Sequence, residues 1–141
     1  MTGTISVRMH FAAGHRILGL PGAGAKCSNP HGHTFWVTFY FEQSMQWPPA
    51  VEFGAAKVSL RERIKDRYDH GFFVDRADTA MHSFLETNGC KHHVFDGPPT
   101  TERIAELLAK DANLLVRAEL VRVVLEEGPE NAATYEPKGV A

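Results

Sequence analysis

Three histidines in the first quarter of the chain have the residue type and spacing of a metal site. His31 and His33 flank Gly32 at the start of a predicted strand, and alternate residues of a strand point to the same face. His15 follows an earlier predicted strand that is expected to pair with this one, so three imidazoles meet at one strand end. Zinc takes three protein ligands at catalytic sites and keeps a fourth position open. The alternative is that this His-x-His pattern is a chance feature of a strand surface.

Cys27 lies four residues before His31, at the end of a glycine-rich segment, so its sulfur can approach the same metal. A thiol beside zinc or a protonated histidine can be a thiolate at neutral pH. Cys27 is therefore either a fourth ligand that closes a structural site or a catalytic base beside an open one. Spacing alone does not separate the two.

Two further acidic positions could do chemistry. Asp69 and His70 follow the first predicted helix, and a carboxylate beside an imidazole can raise its basicity or set its tautomer. The alternative is a histidine that favours the negative end of the helix dipole. Glu126 ends a valine-rich predicted strand, where alternation places it on the face of Leu120 and Arg122. Its carboxylate either faces solvent or accepts a pair of amidine-like N–H donors.

The elements that must position these residues are predicted from periodicity. Alternating or β-branched segments at 5–11, 34–41, 120–126 and 132–135 indicate strands. Residues 53–64 show one apolar helical face, and Thr100 or Thr101 can cap a second helix that runs to residue 115. The order is strand, strand, helix, an unassigned middle segment, then helix, strand, strand. It predicts an α+β domain with an antiparallel sheet and two helices packed on one face.

Length and charge bound the class of protein. The 141 residues predict a single domain over 1–141, and the net charge of −2 argues against a nucleic-acid or anionic-membrane binder. No apolar run reaches the roughly 20 residues of a membrane span, and the N-terminus lacks the basic and apolar regions of a signal peptide. The chain is therefore expected to be cytoplasmic, with Cys27 and Cys90 as thiols. No role is assigned to Cys90, His82, His92 or His93.

Together these residues resemble the 6-pyruvoyltetrahydropterin synthase / 6-carboxytetrahydropterin synthase family. The matching segments lie in family order over nearly the whole chain: Phe11-Ala12-Ala13-Gly14-His15-Arg16, Cys27-x3-His31-Gly32-His33, Val51-Glu52-Phe53-Gly54, Asp69-His70, Pro99-Thr100-Thr101-Glu102 and Glu126. Departures from the family pattern at Glu52, at Arg103 and at Phe73-Val74-Asp75 remove no proposed ligand or catalytic group. They leave the branch of the family open.

The resemblance implies the tunnelling fold, in which the sheets of several subunits close into a barrel. It also implies a homo-oligomer, a trimer or a hexamer formed as a dimer of trimers, with active sites between subunits. The roles that it implies are zinc ligands at His15, His31 and His33, a catalytic thiol at Cys27 with an Asp-His partner at Asp69 and His70, and pterin-pocket residues at Glu126, Thr100, Thr101 and Glu102.

The implied substrate is 7,8-dihydroneopterin triphosphate, with Arg16 and Lys26 near the triphosphate. The compact chain resembles the bacterial members, so the expected activity is that of a zinc-dependent lyase, 6-carboxy-5,6,7,8-tetrahydropterin synthase of the queuosine/7-deazapurine pathway. One alternative is 6-pyruvoyltetrahydropterin synthase, which eliminates triphosphate in the tetrahydrobiopterin pathway. Another is a non-catalytic, zinc-stabilised pterin-binding domain in which Cys27 closes a Cys-His₃ site.

Overall fold

The structure, a computed structural model, describes residues 1–137. Its strands are β1 (Thr2–His15), β2 (His31–Ser44), β3 (Gly71–Asp75), β4 (His92–Phe95), β5 (Glu119–Glu126) and β6 (Ala132–Tyr135). Its helices are α1 (Phe53–Arg67), α2 (Thr79–Thr87) and α3 (Thr101–Leu115), and a 3-10 helix (Gly22–Ser28) connects β1 to β2. None of the helices within residues 1–137 has the length and apolarity to cross a membrane.

The strands form one sheet in the order β4-β3-β1-β2-β5-β6. β1 and β2 pair antiparallel along their whole length, from Thr2 opposite Ser44 to His15 opposite His31. The α+β class is confirmed, but the sheet is mixed, because β3 lies parallel to β1 and β4 lies parallel to β3. Both of these strands and α2 come from the middle segment. Sequence periodicity missed β3 because its adjacent residues Phe73 and Val74 are both buried, so the period-two alternation of a half-buried strand is absent.

Two faces of the sheet follow from the alternation of β1 and β2. The core face packs under α1 and α3 and carries Val7, Met9, Phe11 and Ala13 of β1 with Phe35, Val37, Phe39 and Phe41 of β2. The outer face carries the intervening residues, among them Arg8 and His10 of β1 and Thr34 and Trp36 of β2. There the Arg8 guanidinium lies 4.3 Å from the centre of the Trp36 ring, a cation–π contact.

Side-chain caps fix where the two long helices begin. Glu52 caps α1 by accepting from the backbone N–H groups of Gly54 at 2.9 Å and Ala55 at 2.5 Å. Thr100, one of the two predicted candidates, caps α3 by accepting from the Arg103 N–H at 3.3 Å. Each cap satisfies an N–H group that has no partner within its helix. The second cap holds Thr100 and Thr101 at the mouth of the cavity described next.

Candidate active site

Strand pairing brings the three predicted ligand histidines together. His15 lies opposite His31, and Ala13 lies opposite His33, where β1 and β2 extend past the end of the apolar core. The ring centres are 4.7 Å apart for His15 and His31, 5.2 Å for His15 and His33, and 5.0 Å for His31 and His33. One ring nitrogen from each histidine lies within 4.8 Å of those of the other two. The set continues the core face beyond Phe35.

Backbone carbonyls orient two of these rings. His15 donates from Nδ1 to the Pro99 carbonyl at 2.8 Å, and His31 donates from Nδ1 to the Asn29 carbonyl at 2.7 Å. Each bond fixes the tautomer and leaves Nε2 with a free lone pair, which is the usual support of a metal-ligating histidine. His15 is buried, and this burial lowers its pKa against the opposing effect of the Pro99 carbonyl. The neutral, ligating form of His15 is therefore favoured at neutral pH.

His33 supplies the strongest indication that a ligand completes the cluster. Its Nε2 is buried and has no hydrogen-bond partner within the described chain. The nearest opposite charge is Glu127 Oε2, at 3.6 Å. Leaving a buried polar atom unsatisfied costs about 1–3 kcal/mol, and coordination to a metal ion would remove that cost. Three imidazole nitrogens are a donor set that suits zinc, so the residues present fit the implied metal.

A cavity of about 560 Å³ opens onto the cluster, a volume suited to a small-molecule ligand. The 3-10 helix brings Cys27 and Lys26 to its wall, and the Ile17 N–H holds that helix by donating to the Cys27 carbonyl at 2.7 Å. The start of α3 contributes the other predicted residues on the wall, Thr100, Thr101 and Glu102. Five of the cavity's polar groups were thus predicted from the sequence alongside the three histidines.

The structure places Glu127, and not Glu126, in this cavity. Glu126 pairs with Trp36 in the sheet register and lies on the outer face, where its Oε2 accepts from Arg8 at 3.1 Å. Glu127 lies two residues beyond the buried Leu125, on the core face, and lines the cavity. Its Oε2 accepts a hydrogen bond from the Thr101 hydroxyl at 2.5 Å. Sequence reasoning missed Glu127 because it counted alternation from Leu120.

A register shift in β5 explains that miss. Leu120 pairs with Phe41 and Arg122 pairs with Tyr40, so one extra residue lies between them in β5. Such a bulge reverses the facing of every later residue relative to a simple count. Counting forward in steps of two from the buried residues Val123 and Leu125 would have identified Glu127.

Asp69 and His70 form a dyad that lies away from the cavity of their own chain. Asp69 Oδ2 is 3.0 Å from His70 Nδ1, and Asp69 Oδ1 accepts from the Ala12 N–H at 2.9 Å. His70 is 81% exposed and borders a depression on the outer face beside Gly14 and Gly32. Burial alone would raise the pKa of Asp69, but the hydrogen bonds from Ala12 and His70 lower it. The carboxylate therefore stays charged and holds the ring.

The backbone at His70 supports a functional reading of the dyad. Its φ is +63°, a left-handed conformation that residues other than glycine adopt rarely. The His70 N–H donates to the Ala12 carbonyl at 2.6 Å, so both members of the dyad are fixed to one residue of β1. Strained backbone that is held by its surroundings concentrates at functional sites.

Arg16, one of the two residues considered for the triphosphate, is already paired. Its guanidinium donates from Nε and Nη2 to the two oxygens of Asp78, both at 2.6 Å. Asp78 is buried and caps α2, so this bidentate pair ties α2 to the end of β1. Lys26, the other residue considered for the triphosphate, lies on the cavity wall.

Comparisons with known proteins show a family match in sequence and several similar structures. The sequence profile of the 6-pyruvoyl tetrahydropterin synthase family matches residues 4–138. No protein of curated function matches the chain in sequence. An uncharacterized protein from Wolinella succinogenes has a similar structure, with a TM-score of 0.81, 19% identity and coverage of 98% of this chain and 99% of that one.

Two solved synthases share the fold. The 6-pyruvoyl tetrahydropterin synthase of Caenorhabditis elegans has a TM-score of 0.68 and 20% identity, over 98% of this chain and 97% of that one. The 6-pyruvoyl tetrahydropterin synthase of Plasmodium vivax has a TM-score of 0.68 and 16% identity, over 97% and 98%. The likeness extends over nearly the whole of each chain, so these proteins share one fold.

Proposed function

Because the chain belongs to the 6-pyruvoyl tetrahydropterin synthase family and has its tunnelling fold, we propose that it is a zinc-dependent 6-carboxy-5,6,7,8-tetrahydropterin synthase. The substrate would be 7,8-dihydroneopterin triphosphate, processed by a single domain over residues 1–141. The observation that carries the proposal is the cluster of His15, His31 and His33, with the buried, unpaired Nε2 of His33, in a cavity that also holds Cys27 and Glu127.

His15, His31 and His33 would hold the zinc ion through their Nε2 atoms. Bound there, zinc supplies Lewis acidity that lowers the cost of deprotonating carbons beside the side-chain hydroxyls of the substrate. The Pro99 and Asn29 carbonyls keep two of these rings in place. Such fixed geometry avoids reorganisation during the reaction.

Cys27 and the Asp69–His70 dyad are the proposed proton carriers. Cys27 Sγ lies at the wall of the cavity and would remove the proton from the substrate side chain. His70 Nε2 would move a proton on the other face of the substrate, with its ring held through Nδ1 by Asp69. Because the dyad borders the outer face and not the cavity of its own chain, a neighbouring subunit would supply it, in a trimer or a dimer of trimers.

Glu127 takes the pterin-binding role that the resemblance gave to Glu126. A carboxylate that receives two N–H donors from the pterin ring forms strong, directional hydrogen bonds. Thr101 holds Glu127 from one side, and Asn131 lies 3.5 Å from its other oxygen. Thr100 and Glu102 complete the proposed pocket, with Lys26 near the triphosphate.

Paired substitutions test which glutamate binds the pterin. Glu127→Gln should lower kcat/KM by about 30- to 150-fold, since charge-assisted hydrogen bonds contribute about 2–3 kcal/mol. Glu126→Gln removes an outer-face ion pair with Arg8 and should change kcat/KM by less than about threefold, as surface pairs contribute about 0–1 kcal/mol. Steady-state kinetics on both variants gives the comparison. A larger loss for Glu126→Gln would return the role to that residue.

The choice of product rests on the compact chain, which resembles the bacterial members of the family. The alternative, 6-pyruvoyltetrahydropterin synthase, is favoured by the names of the similar structures from C. elegans and P. vivax. Both activities begin on the same substrate and release triphosphate. They differ in whether the side chain is also cleaved, so the products themselves distinguish them.

Incubation with 7,8-dihydroneopterin triphosphate, followed by mass spectrometry, tests the activity directly. We expect 6-carboxytetrahydropterin together with acetaldehyde. Formation of 6-pyruvoyltetrahydropterin instead would assign the other branch. Unchanged substrate with a zinc-loaded, folded protein would indicate the non-catalytic pterin-binding domain, for which the Asp69–His70 dyad has no explanation. Cys27→Ala serves as the control for background reactions of the substrate.

A further inference from the structure

A second group of potential metal ligands lies at the C-terminal end of α2. It consists of His82 and Glu86 of α2 and His92 of β4, and one ligand atom from each lies within 4.8 Å of those of the others. His82 and Glu86 are four residues apart and thus share one helix face. A turn at residues 88–91 returns the chain so that His92 faces them. The proposed catalytic ligands, at the ends of β1 and β2, include none of these residues.

The distances suit a single ion. His82 Nε2 is 3.0 Å and His92 Nε2 is 3.7 Å from the same oxygen of Glu86, Oε1. In a tetrahedral zinc site with bonds of 2.0–2.1 Å, ligand atoms lie roughly 3.3 Å apart, between the two observed values. The imidazole rings are 5.7 Å apart between centroids. The ligand atoms of the two histidines lie within 4.8 Å of each other.

Hydrogen bonding leaves the second nitrogen of His92 available as a ligand. A carbonyl oxygen only accepts, so His92 Nδ1 donates to the Cys90 carbonyl at 2.7 Å. In the neutral ring, Nε2 then carries a lone pair that faces the Glu86 carboxylate. Two electron-rich atoms repel unless a positive charge lies between them. A carbonyl that accepts from the distal nitrogen is also the usual support of a ligating histidine.

From this geometry we propose that His82, Glu86 and His92 form a second metal site, which binds a divalent first-row transition ion of the zinc class. Two imidazoles and one carboxylate suit such ions better than calcium or magnesium, which prefer oxygen ligands. His82 and His92 are 22% and 17% exposed and Glu86 is 62% exposed, so the ion enters from solvent and keeps one open position. This site does not depend on the proposed catalytic activity.

The site would join α2 to β4 across the turn at residues 88–91. Lys91, next to His92, donates from Nζ to the carbonyls of Lys65 and Asp69. A metal at the second site would therefore hold the segment that supports the backbone of the Asp69–His70 dyad. Its expected consequence is stabilisation of this side of the sheet, which is measurable without any assay of turnover.

Zinc titration of the metal-loaded protein, followed by equilibrium dialysis and elemental analysis, tests the site. The wild type should take up one further saturable equivalent per chain, and its melting temperature should rise with added zinc. His92→Ala should abolish both effects. Glu86→Gln, an exposed change on α2 that leaves the fold undisturbed, should weaken zinc binding at least about tenfold. His10→Ala, an exposed histidine outside both clusters, is the matched control and should titrate as the wild type does.

The two metal sites remain distinguishable in this experiment. His31→Ala should lose the tightly held equivalent and retain the titratable one, whereas His92→Ala should do the reverse. The proposal is overturned if the wild type shows no second saturable equivalent. It is equally overturned if His92→Ala and Glu86→Gln take up that equivalent as the wild type does.

Discussion

Replacing His31 with alanine is expected to remove the tightly held metal and to lower turnover by about 1000-fold or more. Three histidines of the described residues form the proposed zinc site, so losing one leaves two, which is below the number that catalytic sites use. The Lewis acid contributes several kcal/mol to the barrier, and each 1.36 kcal/mol is a factor of ten in rate. Elemental analysis of protein purified without added metal and single-turnover kinetics measure the two losses.

The His31→Ala substitution is expected to leave the fold intact. His31 is half-exposed at the end of β2, beyond the apolar core, so far-ultraviolet circular dichroism and the oligomeric state should be unchanged. His10→Ala is the matched control, because it removes an exposed histidine outside both clusters and should keep the tight metal and the turnover. Full retention of tight metal by folded His31→Ala would contradict the assignment of the three ligands.

Mixed oligomers of two inactive variants, Cys27→Ala and His70→Ala, are expected to recover part of the activity. Cys27→Ala and His70→Ala should each lose about 10²- to 10⁴-fold in turnover, as removal of a general acid or base does. If one site takes Cys27 from one chain and His70 from its neighbour, random mixing leaves about a quarter of the sites with both groups intact. Co-expression with two affinity tags, followed by kinetics on the mixed oligomer, measures the recovery.

A second pair of variants, Cys27→Ala with His31→Ala, tests whether such recovery comes from sites that two chains form together. Cys27 and His31 line the same cavity of one chain, so in mixed oligomers of Cys27→Ala with His31→Ala no site has both groups. This pair should remain inactive. Mixed oligomers of Cys27→Ala and His70→Ala that stay as inactive as their parents would show that the dyad does not act across an interface. Cys27→Ala should also keep its metal, whereas loss of metal would make Cys27 a ligand and the site structural.

Local patterns in the sequence predicted the part of the site that depends on two long strands. Alternation and β-branched residues identified β1 and β2, and the His31-Gly32-His33 spacing then required both rings on one face. The last strand was predicted near its observed position, Ala132–Tyr135, and Thr100 was one of the two residues predicted to cap the helix that follows it. These features depend on residues that are close to one another in the sequence, so a single sequence is enough to predict them.

Features that depend on distant parts of the chain were missed. β3 and β4 join the sheet beside β1 in parallel, a pairing that requires contacts across the whole middle segment. The bulge in β5 exchanged the faces on which Glu126 and Glu127 lie, and no residue type in that strand indicates a bulge. Asp69 and His70 were adjacent in sequence, but their contact depends on Ala12, 57 positions from Asp69. Sequence adjacency alone could not establish that geometry.

The open sheet has a consequence for how newly made chains survive before they assemble. β4 and β6, at its two edges, have four residues each. Unpaired edge strands are templates for aggregation, and natural proteins limit that risk by keeping them short. β2 is paired along its whole length with β1 and, over residues 36–42, with β5 on its other side. In contrast, β3 pairs with only the last three residues of β1, from Ala13 to His15. The short edges β4 and β6 therefore offer little template for aggregation, and the long edge of β1 along residues 2–12, unpaired with any strand of the described chain, is the stretch that a partner strand has to cover.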